Sequence, residues 1–323
     1  MPKQKKMPSH HGVTTRMKGE YTNPMLKLLI ERASCRSFKA EKIPPAVLEK
    51  VFAAGIHGPS GGNLQPFSII KIERDDIKKK LAEMCWQKYI GRAPVNLLFC
   101  IDWHRIERWA RLSDAPFTAT SAFRHFWISF QDTAICAQNI CIAAESLGLG
   151  TVYIGTILEY PYECREMFQL PQGVLPVVLI CLGYPRSGLL PRKKLPPEVV
   201  IHDEIYRDPD DQELLNAFKS KYPRLRVAIT EERLEQFAEV CRDVQGEEFA
   251  ERCLERVKEQ GYFNPAQRYF GLHYRANVMP VGNKVFLKFM QDSGCNWFKN
   301  YRPPKRKQGG RDRKKRRTSS GGL

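Results

Sequence analysis

The chain has 323 residues, of which 42 % are hydrophobic and 11 % aromatic, so it is long and apolar enough for one large domain or two modest ones. Of its net charge of +17, residues 1–18 carry +5 and residues 299–323 carry +10, which leaves only +2 for the body between them. The basicity is a property of the ends, so it does not indicate a nucleic-acid-binding fold.

In chain order, the body alternates helices and strands. Asn23 as a cap and Pro24 as the first helical residue predict a helix through about residue 33, and a second helix follows Pro44 and Pro45. The further predicted elements are a strand at 67–72, a helix at 75–86, a strand at 94–101, a long helix at 121–147, a strand at 151–154, a helix at about 160–169 and a strand at 174–182.

The long predicted helix contains the longest apolar stretch of the chain, at 126–149. Polar side chains interrupt it, and each would be costly in lipid unless it were paired. We therefore expect a buried helix of a protein that does not enter a membrane. The interrupting residues are Gln131, Asp132, Gln138, Asn139 and Glu145.

Charges become denser after about residue 210, where the pattern over 230–259 predicts an amphipathic helix and residues 261–298 are rich in aromatic side chains. The two basic ends are predicted to be disordered. The expected organisation is a disordered N-terminus at 1–22, a binding domain at 23–210, a helical and aromatic extension at 211–298, and a disordered basic tail at 299–323.

The cysteine pattern predicts neither a metal site nor disulfides. The ten cysteines occur singly, with no CxxC pair and no His/Cys cluster at zinc spacing. Most lie in apolar runs, as Cys136 and Cys141 do, which predicts reduced thiols packed as small hydrophobic side chains. Reduced thiols suit a reducing compartment, and the N-terminus lacks the apolar core of a signal peptide. We therefore expect a cytoplasmic protein.

Common catalytic motifs are missing from the sequence, which contains no GxGxxG, Walker loop, HExxH, GxSxG or calcium-loop pattern. Its candidate site residues lie instead in four loops that suit a phosphorylated planar cofactor. Arg32, Ser34 and Arg36 can bind a phosphate dianion, although such a trio is more often a solvated surface. Arg192 and Lys194, in a basic loop, add further cations for the same phosphate.

The other two loops suit the ring of such a cofactor. In the loop at 58–67, glycines allow close approach of the backbone, and Asn63 and Gln65 offer amides for a flavin edge and its ribityl hydroxyls. The alternative for this loop is a plain turn between helix and strand. In the loop at 148–156, a backbone N–H near Gly155 is placed to meet the ring's reactive edge.

Together these blocks resemble the FMN-dependent nitroreductase superfamily, and within it the major oxygen-insensitive NADPH nitroreductase and flavin reductase P group. The resemblance covers about 25–206. The matching segments are Asp132-Thr133-Ala134 with Ala137-Gln138-Asn139, the run at 142–150, Val152-Tyr153-Ile154-Gly155, Leu170-Pro171-Gln172 with Val174-Leu175-Pro176, and Cys181-Leu182-Gly183.

The resemblance implies an α+β fold with a central, mostly antiparallel sheet flanked by helices. It also implies a homodimer with FMN at the interface between the subunits. The long central helix is expected to form the core contact of this interface. The residues that match the family's FMN-binding positions are Arg32, Ser34, Arg36, Ser60, Gly61, Gly62, Asn63, Gln65, Gln87, Ile154, Gly155, Arg192 and Lys194. No protein residue is expected to act as a nucleophile, because the chemistry takes place at N5 of FMN.

The implied function is transfer of electron pairs from NADPH or NADH through FMN to a small acceptor, such as a nitroaromatic, a quinone or free flavin, by a ping-pong mechanism. Beyond about residue 206 the chain does not align with the group's basic C-terminal residues that hold the 2′-phosphate of NADPH. The loop also departs from the closest group at Pro59, Asn63 and Pro66.

Three alternatives remain at this stage. The first is a reductive dehalogenase or flavin-breaking enzyme of the same fold, with residues 211–298 as a lid over the ring instead of an arm around the partner subunit. The second is nucleic-acid binding by the basic tail, as an accessory activity. The third is an FMN-binding protein without turnover.

Overall fold

The computed structural model describes residues 23–297, and the two segments predicted to be disordered lie outside this range. The described chain forms a four-stranded sheet packed between helices. The strands are β1 (Phe67–Ile72), β2 (Val95–Asp102), β3 (Gly150–Ile154) and β4 (Val174–Gly183). The helices are α1 (Pro24–Glu31), α2 (Pro45–Ile56), α3 (Asp75–Met84), α4 (Lys88–Arg92), α5 (Trp103–Leu112), α6 (Phe123–Ser146), α7 (Pro161–Phe168), α8 (Asp211–Lys221), α9 (Glu231–Gln245), α10 (Glu247–Gln260), α11 (Pro265–Gln267) and α12 (Asn283–Asp292).

The sheet has the strand order β1-β2-β4-β3, and every neighbouring pair is antiparallel. Its two central strands are buried along their whole length, because helices cover both faces of the sheet. Alternate residues of β2 therefore enter two different cores: Leu97 and Phe99 pack on the side of α2 and α6, and Leu98 and Cys100 on the other side. The predicted α+β fold with an antiparallel sheet is confirmed.

Helix α6, with 24 residues, is the long helix predicted at the centre of the fold. Its second half packs closely against α2, where Gly55 allows the contact: a Cβ atom added there would lie 2.4 Å from Cγ1 of Ile140. Small residues such as Ala137 and Ala144 lie on the same face of α6 as Ile140 and are buried in the same core cluster. Between residues 23 and 297, no helix combines the length and the apolar character that a membrane span requires.

All ten cysteines lie within the described residues as free thiols, nine of them buried and Cys253 partly buried. Burial raises the pKa of the Cys85 and Cys141 thiols to about 11, because a thiolate is poorly solvated in the core. The prediction that the cysteines pack as small hydrophobic side chains is confirmed.

The single amphipathic helix predicted at 230–259 is wrong, because the segment forms two helices, α9 and α10, separated at Gly246. Gly246 has φ 86° and ψ 177°, a conformation that is essentially restricted to glycine. The periodicity continues across this break, so the pattern alone does not reveal it. The two helices enclose a small separate core that includes Phe237, Val257 and Phe263.

The last helix, α12, returns to the main core. Phe289 and Met290 are buried in the cluster formed by α2, α6 and the sheet, and the Phe289 ring contacts that of Tyr162 on α7 at 5.2 Å between centroids. Trp297 packs on Trp103 and Phe126. The end of the extension thus packs into the same core as α2, α6 and the sheet.

Replacing Phe289 with Ala should lower the free energy of unfolding by about 3–5 kcal/mol, because it removes a fully buried ring and leaves a cavity. Phe218→Ala on α8 is the matched control: that ring is 41 % exposed, and its loss should cost less than about 1 kcal/mol. Urea denaturation monitored by circular dichroism compares the two, and equal losses would show that α12 does not contribute to the main core.

Candidate functional site

The segment from Arg32 to Lys39 is fixed between two strands. The backbone N–H of Cys35 donates to the carbonyl of Thr151 at 2.8 Å, and that of Lys39 donates to the carbonyl of Tyr184 at 2.9 Å. Cys35 and Phe38 point into the core, whereas Ser34 and Arg36 are exposed. The predicted phosphate ligands Ser34 and Arg36 are therefore presented on the surface by an extended backbone held by two neighbouring strands.

Arg32 occupies a different environment from these two residues. Its guanidinium forms an ion pair with Glu145 of α6 at 3.0 Å, and its Nη2 also donates to the hydroxyl of Thr151 at 3.3 Å. Glu145 raises the pKa of Arg32 although partial burial opposes this. The ion pair holds the end of α1 and the start of β3 against the last turn of α6. The predicted role of Arg32 in phosphate binding remains a prediction.

A chain of polar contacts connects Arg36 with the end of β3. The Arg36 guanidinium contacts the Tyr89 hydroxyl and opposes the rise in the Tyr89 pKa that burial causes. The Tyr89 hydroxyl donates to the Gln87 side chain, and the Gln87 amide donates to the Thr156 hydroxyl at 3.0 Å. The structure thus brings together the predicted residues Arg36 and Gln87 and the strand end at Gly155.

Tyr89 and Thr156 were not predicted as site residues. The only sequence signal is their position, two residues after Gln87 and one after Gly155. Gly155 itself is exposed, and a Cβ atom added to it would meet nothing within 4 Å. The backbone at this strand end is therefore open to a ligand, while the preceding Ile154 is buried and fixes the strand.

The loop at 58–66 has an unusual backbone. Gly62, Asn63 and Gln65 have φ values of 60°, 55° and 49°, a left-handed conformation that is uncommon for residues other than glycine. Such strain persists where surrounding contacts enforce it, and it concentrates at functional sites. The exposed glycines Gly61 and Gly62 leave the backbone accessible.

Two side chains from elsewhere in the fold hold this loop. The carboxylate of Asp132 on α6 accepts the backbone N–H of Gly61 at 3.0 Å, and Arg105 on α5 donates to the carbonyls of Gln65 and Phe67 at 2.7 and 2.6 Å. Within the loop, the Ser60 hydroxyl accepts the N–H of Gln65 at 3.2 Å. The loop geometry is therefore imposed by α5 and α6.

Asp132 is only 5 % exposed, and its Oδ2 has no hydrogen-bond partner within residues 23–297. Burial raises the pKa of this carboxyl, and the Gly61 N–H opposes the rise. A buried carboxylate with one unpaired oxygen costs stability. Its position under the strained loop indicates that it is retained to hold Gly61.

Arg192 and Lys194 lie in the exposed segment that follows β4. This segment leaves the sheet beside the predicted phosphate ligands, where the backbone N–H of Arg186 donates to the carbonyl of Ser37 at 3.0 Å. Within residues 23–297, neither Arg192 nor Lys194 is in an ion pair. The basic loop thus begins next to Ser34 and Arg36. Within the described residues, the side chains of Arg192 and Lys194 make no contact with those of Ser34 and Arg36.

The predicted residues fall into two groups along α6. The loop at 60–65 is fixed at Asp132, and the segment with Arg36 is fixed near Glu145, 13 residues further along the helix. At ~1.5 Å per residue, these anchors are about 20 Å apart. One group offers cations and the open end of β3, which suit a phosphate and the edge of a ring. The other group, the loop at 60–65, offers an exposed backbone and two amide side chains, and it is called the cradle below.

Comparison with known proteins identifies relatives of the chain. A sequence profile described as the nitroreductase family matches residues 29–184. The FMN reductase [NAD(P)H] of Bacillus subtilis is 33 % identical over 191 residues, which cover 58 % of this chain and 77 % of the relative. The oxygen-insensitive NADPH nitroreductase of Salmonella typhimurium is 34 % identical over 194 residues, covering 60 % and 78 %.

A solved structure resembles more of the chain than these relatives do. NfrA2 from B. megaterium superposes with a TM-score of 0.65 at 25 % identity, and the match covers 85 % of this chain and 99 % of that one. Since this coverage exceeds the 58–60 % of the two sequence relatives, the superposition extends beyond the part of the chain that aligns by sequence. The helical C-terminal region is therefore, at least in part, a feature of the shared fold.

The Arg32–Glu145 ion pair should contribute to stability in the absence of any ligand. In a double-mutant cycle with Arg32→Ala and Glu145→Ala, we expect a coupling free energy of about 1–3 kcal/mol, because both side chains are largely buried. The matched control is the exposed pair Arg252 and Glu248 on α10, whose coupling should stay below about 0.5 kcal/mol. A coupling free energy below about 0.5 kcal/mol between Arg32 and Glu145 would show that their ion pair has no structural role.

Proposed function

The chain belongs to the nitroreductase family, and we propose that it is an FMN-dependent oxidoreductase that moves electron pairs from NADPH or NADH to a small acceptor. The names of its relatives support this activity: one is an FMN reductase that uses NAD(P)H and another is an NADPH nitroreductase. The acceptor class that we propose comprises nitroaromatics, quinones and free flavin, reduced in a ping-pong cycle in which donor and acceptor use the site in turn.

The observation that carries the proposal is the line of contacts from Arg36 through Tyr89 and Gln87 to Thr156. It joins an exposed cation, suited to a phosphate, with an open strand end at Gly155 that suits a ring edge. FMN carries its phosphate at one end and its planar ring at the other, so these two features of the protein suit its two ends. The residues present therefore fit the group.

In this proposal, Ser34 and Arg36 hold the phosphate, with Arg192 and Lys194 on its other side. When bound, FMN supplies the two-electron chemistry, and the protein supplies binding, orientation and electrostatics. Tyr89 and Gln87 fix the position of Arg36 relative to the end of β3.

We propose that each FMN is bound between two copies of the chain. The cradle at 60–65 and the Arg36 group are anchored about 20 Å apart on the rigid helix α6, so a second copy related by a two-fold axis is the simplest way to bring them together. A surface for this copy exists. Four apolar residues of α1 are 41–51 % exposed, and Trp127 and Ile135 of α6 are 50 % and 36 % exposed on the same helix face.

Replacing Arg36 with Ala should weaken FMN binding at least tenfold, because a charge-assisted bond to the phosphate is lost. The dissociation constant is measured by titrating the FMN-free protein while following flavin fluorescence. Arg224→Ala in the extension removes an equal charge from an exposed residue outside the candidate site and should leave binding unchanged. An unchanged affinity in Arg36→Ala would refute the role of Arg36, and failure of the parent protein to take up FMN would refute the whole proposal.

A mixed dimer tests the shared site. One copy carries Arg36→Ala and the other Gly62→Val, which places a branched side chain at φ 60° and distorts the cradle. If each site uses Arg36 of one copy and the cradle of the other, purified mixed dimers should bind one FMN per dimer with the affinity of the parent protein, whereas each variant alone binds FMN only weakly. Mixed dimers that bind no more FMN than the variants alone would show that both groups act within one copy.

A further inference from the structure

A groove lies beside the cradle at 60–65. It has a volume of about 670 Å³, and its wall is formed by Gly61 and Gly62 of the cradle, by α5, and by the first turns of α6. Its side chains are mostly apolar, with Trp103, Ile106 and Phe117 among them. A groove of this size and character accommodates a planar ring system.

A second hollow of about 440 Å³ adjoins the groove, since Ala115 and Phe117 line both. Its character is different, because it is lined by His104, Glu107, Arg108 and Arg111 of α5. Helix α5 separates the two: Trp103, Ile106 and Ala110 face the groove, and the charged residues, spaced three and four apart, face the hollow.

The two arginines of the hollow are available for a ligand. Both are exposed, and within residues 23–297 neither Arg108 nor Arg111 takes part in an ion pair or a side-chain hydrogen bond. In contrast, Nη2 of Arg105 on the same helix donates to the carbonyls of Gln65 and Phe67. Two adjacent guanidinium groups without partners are suited to binding a phosphate dianion.

The first turn of α5 is fixed by two side-chain contacts. The Asp102 side chain caps the helix by accepting the N–H of Arg105 at 2.9 Å, and the Trp103 indole donates to the Ser129 hydroxyl at 2.9 Å. The extension holds the segment between α5 and α6, where the N–H of Asn296 donates to the carbonyl of Thr120 at 3.2 Å. The arginines are therefore carried by a rigid element at a fixed distance from the cradle.

We propose that the groove and the hollow together bind the hydride donor, and that Arg108 and Arg111 select NADPH over NADH by holding its 2′-phosphate. The inference rests on the proposed function, which requires a nicotinamide dinucleotide next to the cradle. The apolar groove takes a ring of the dinucleotide and the basic hollow its phosphorylated ribose. Glu107 accepts a hydrogen bond from a ribose hydroxyl. It is also the one acid among the described residues that line the hollow, and its charge weakens the attraction of the hollow for the dianion.

Binding of adenosine 2′,5′-bisphosphate and adenosine 5′-monophosphate to the FMN-loaded protein tests the hollow without turnover. By calorimetry, the parent should bind the bisphosphate at least tenfold more tightly, and the double variant Arg108→Ala/Arg111→Ala should lose this difference. Lys79→Ala/Lys80→Ala on α3 changes the net charge equally and should retain it. A double variant that keeps the parent's preference overturns the proposal.

Steady-state kinetics give the second readout. The ratio of kcat/KM for NADPH to that for NADH should fall at least tenfold in the double variant, through KM for NADPH and with kcat unchanged. Glu107→Gln should raise the affinity for the bisphosphate severalfold, and a weaker affinity would contradict the charge argument. If the parent protein turned over neither NADPH nor NADH, the proposed function would be refuted. If the parent turned over normally and the double variant kept the parent's ratio of kcat/KM for NADPH to kcat/KM for NADH, only this inference would be refuted.

Discussion

The rigidity of helix α6 is the constraint on which the candidate site depends. Its carboxylates at Asp132 and Glu145 fix, respectively, the cradle at 60–65 and the segment that presents Ser34 and Arg36. Since a helix has a fixed rise, the two anchor points on α6 stay about 20 Å apart within one chain. The same helix fills the space between α2 and the sheet, so a displacement of α6 would disturb the core and the site together. Stability and binding are therefore linked through one element.

Much of the architecture could be predicted from the sequence, because hydrophobic periodicity reports burial directly. The fully buried strands β2 and β4 and the long helix α6 fall within one or two residues of the predicted ranges. Helix α5 was missed, since its sequence of alternating aromatic and basic residues follows a strand directly and is capped by Asp102, the last residue of that strand. The break at Gly246 was missed because a single glycine does not interrupt the periodic pattern.

The candidate site was predictable to a different extent. Arg36, which is exposed, was predicted from its own sequence block, and Gln87, which is half-buried, through resemblance to a family. Their roles in binding remain predictions. The residues that hold them were not found, because Tyr89, Asp132 and Glu145 act through contacts with residues distant in sequence. Likewise, the pairing of Arg32 with Glu145 spans 113 positions along the chain, and nothing in the local sequence of either residue indicates its partner. Residues that act through contacts with distant parts of the chain thus leave no signal in their local sequence.

The burial of the cysteines has a consequence for the chemical durability of the protein. Reduced flavins react with oxygen to give peroxide, and peroxide attacks thiolates far faster than thiols. Because burial raises the pKa of Cys136, Cys164 and Cys295 to about 12, almost none of these groups is ionised at neutral pH. An enzyme that generates an oxidant as a by-product of its own turnover would in this way protect its core from oxidative inactivation.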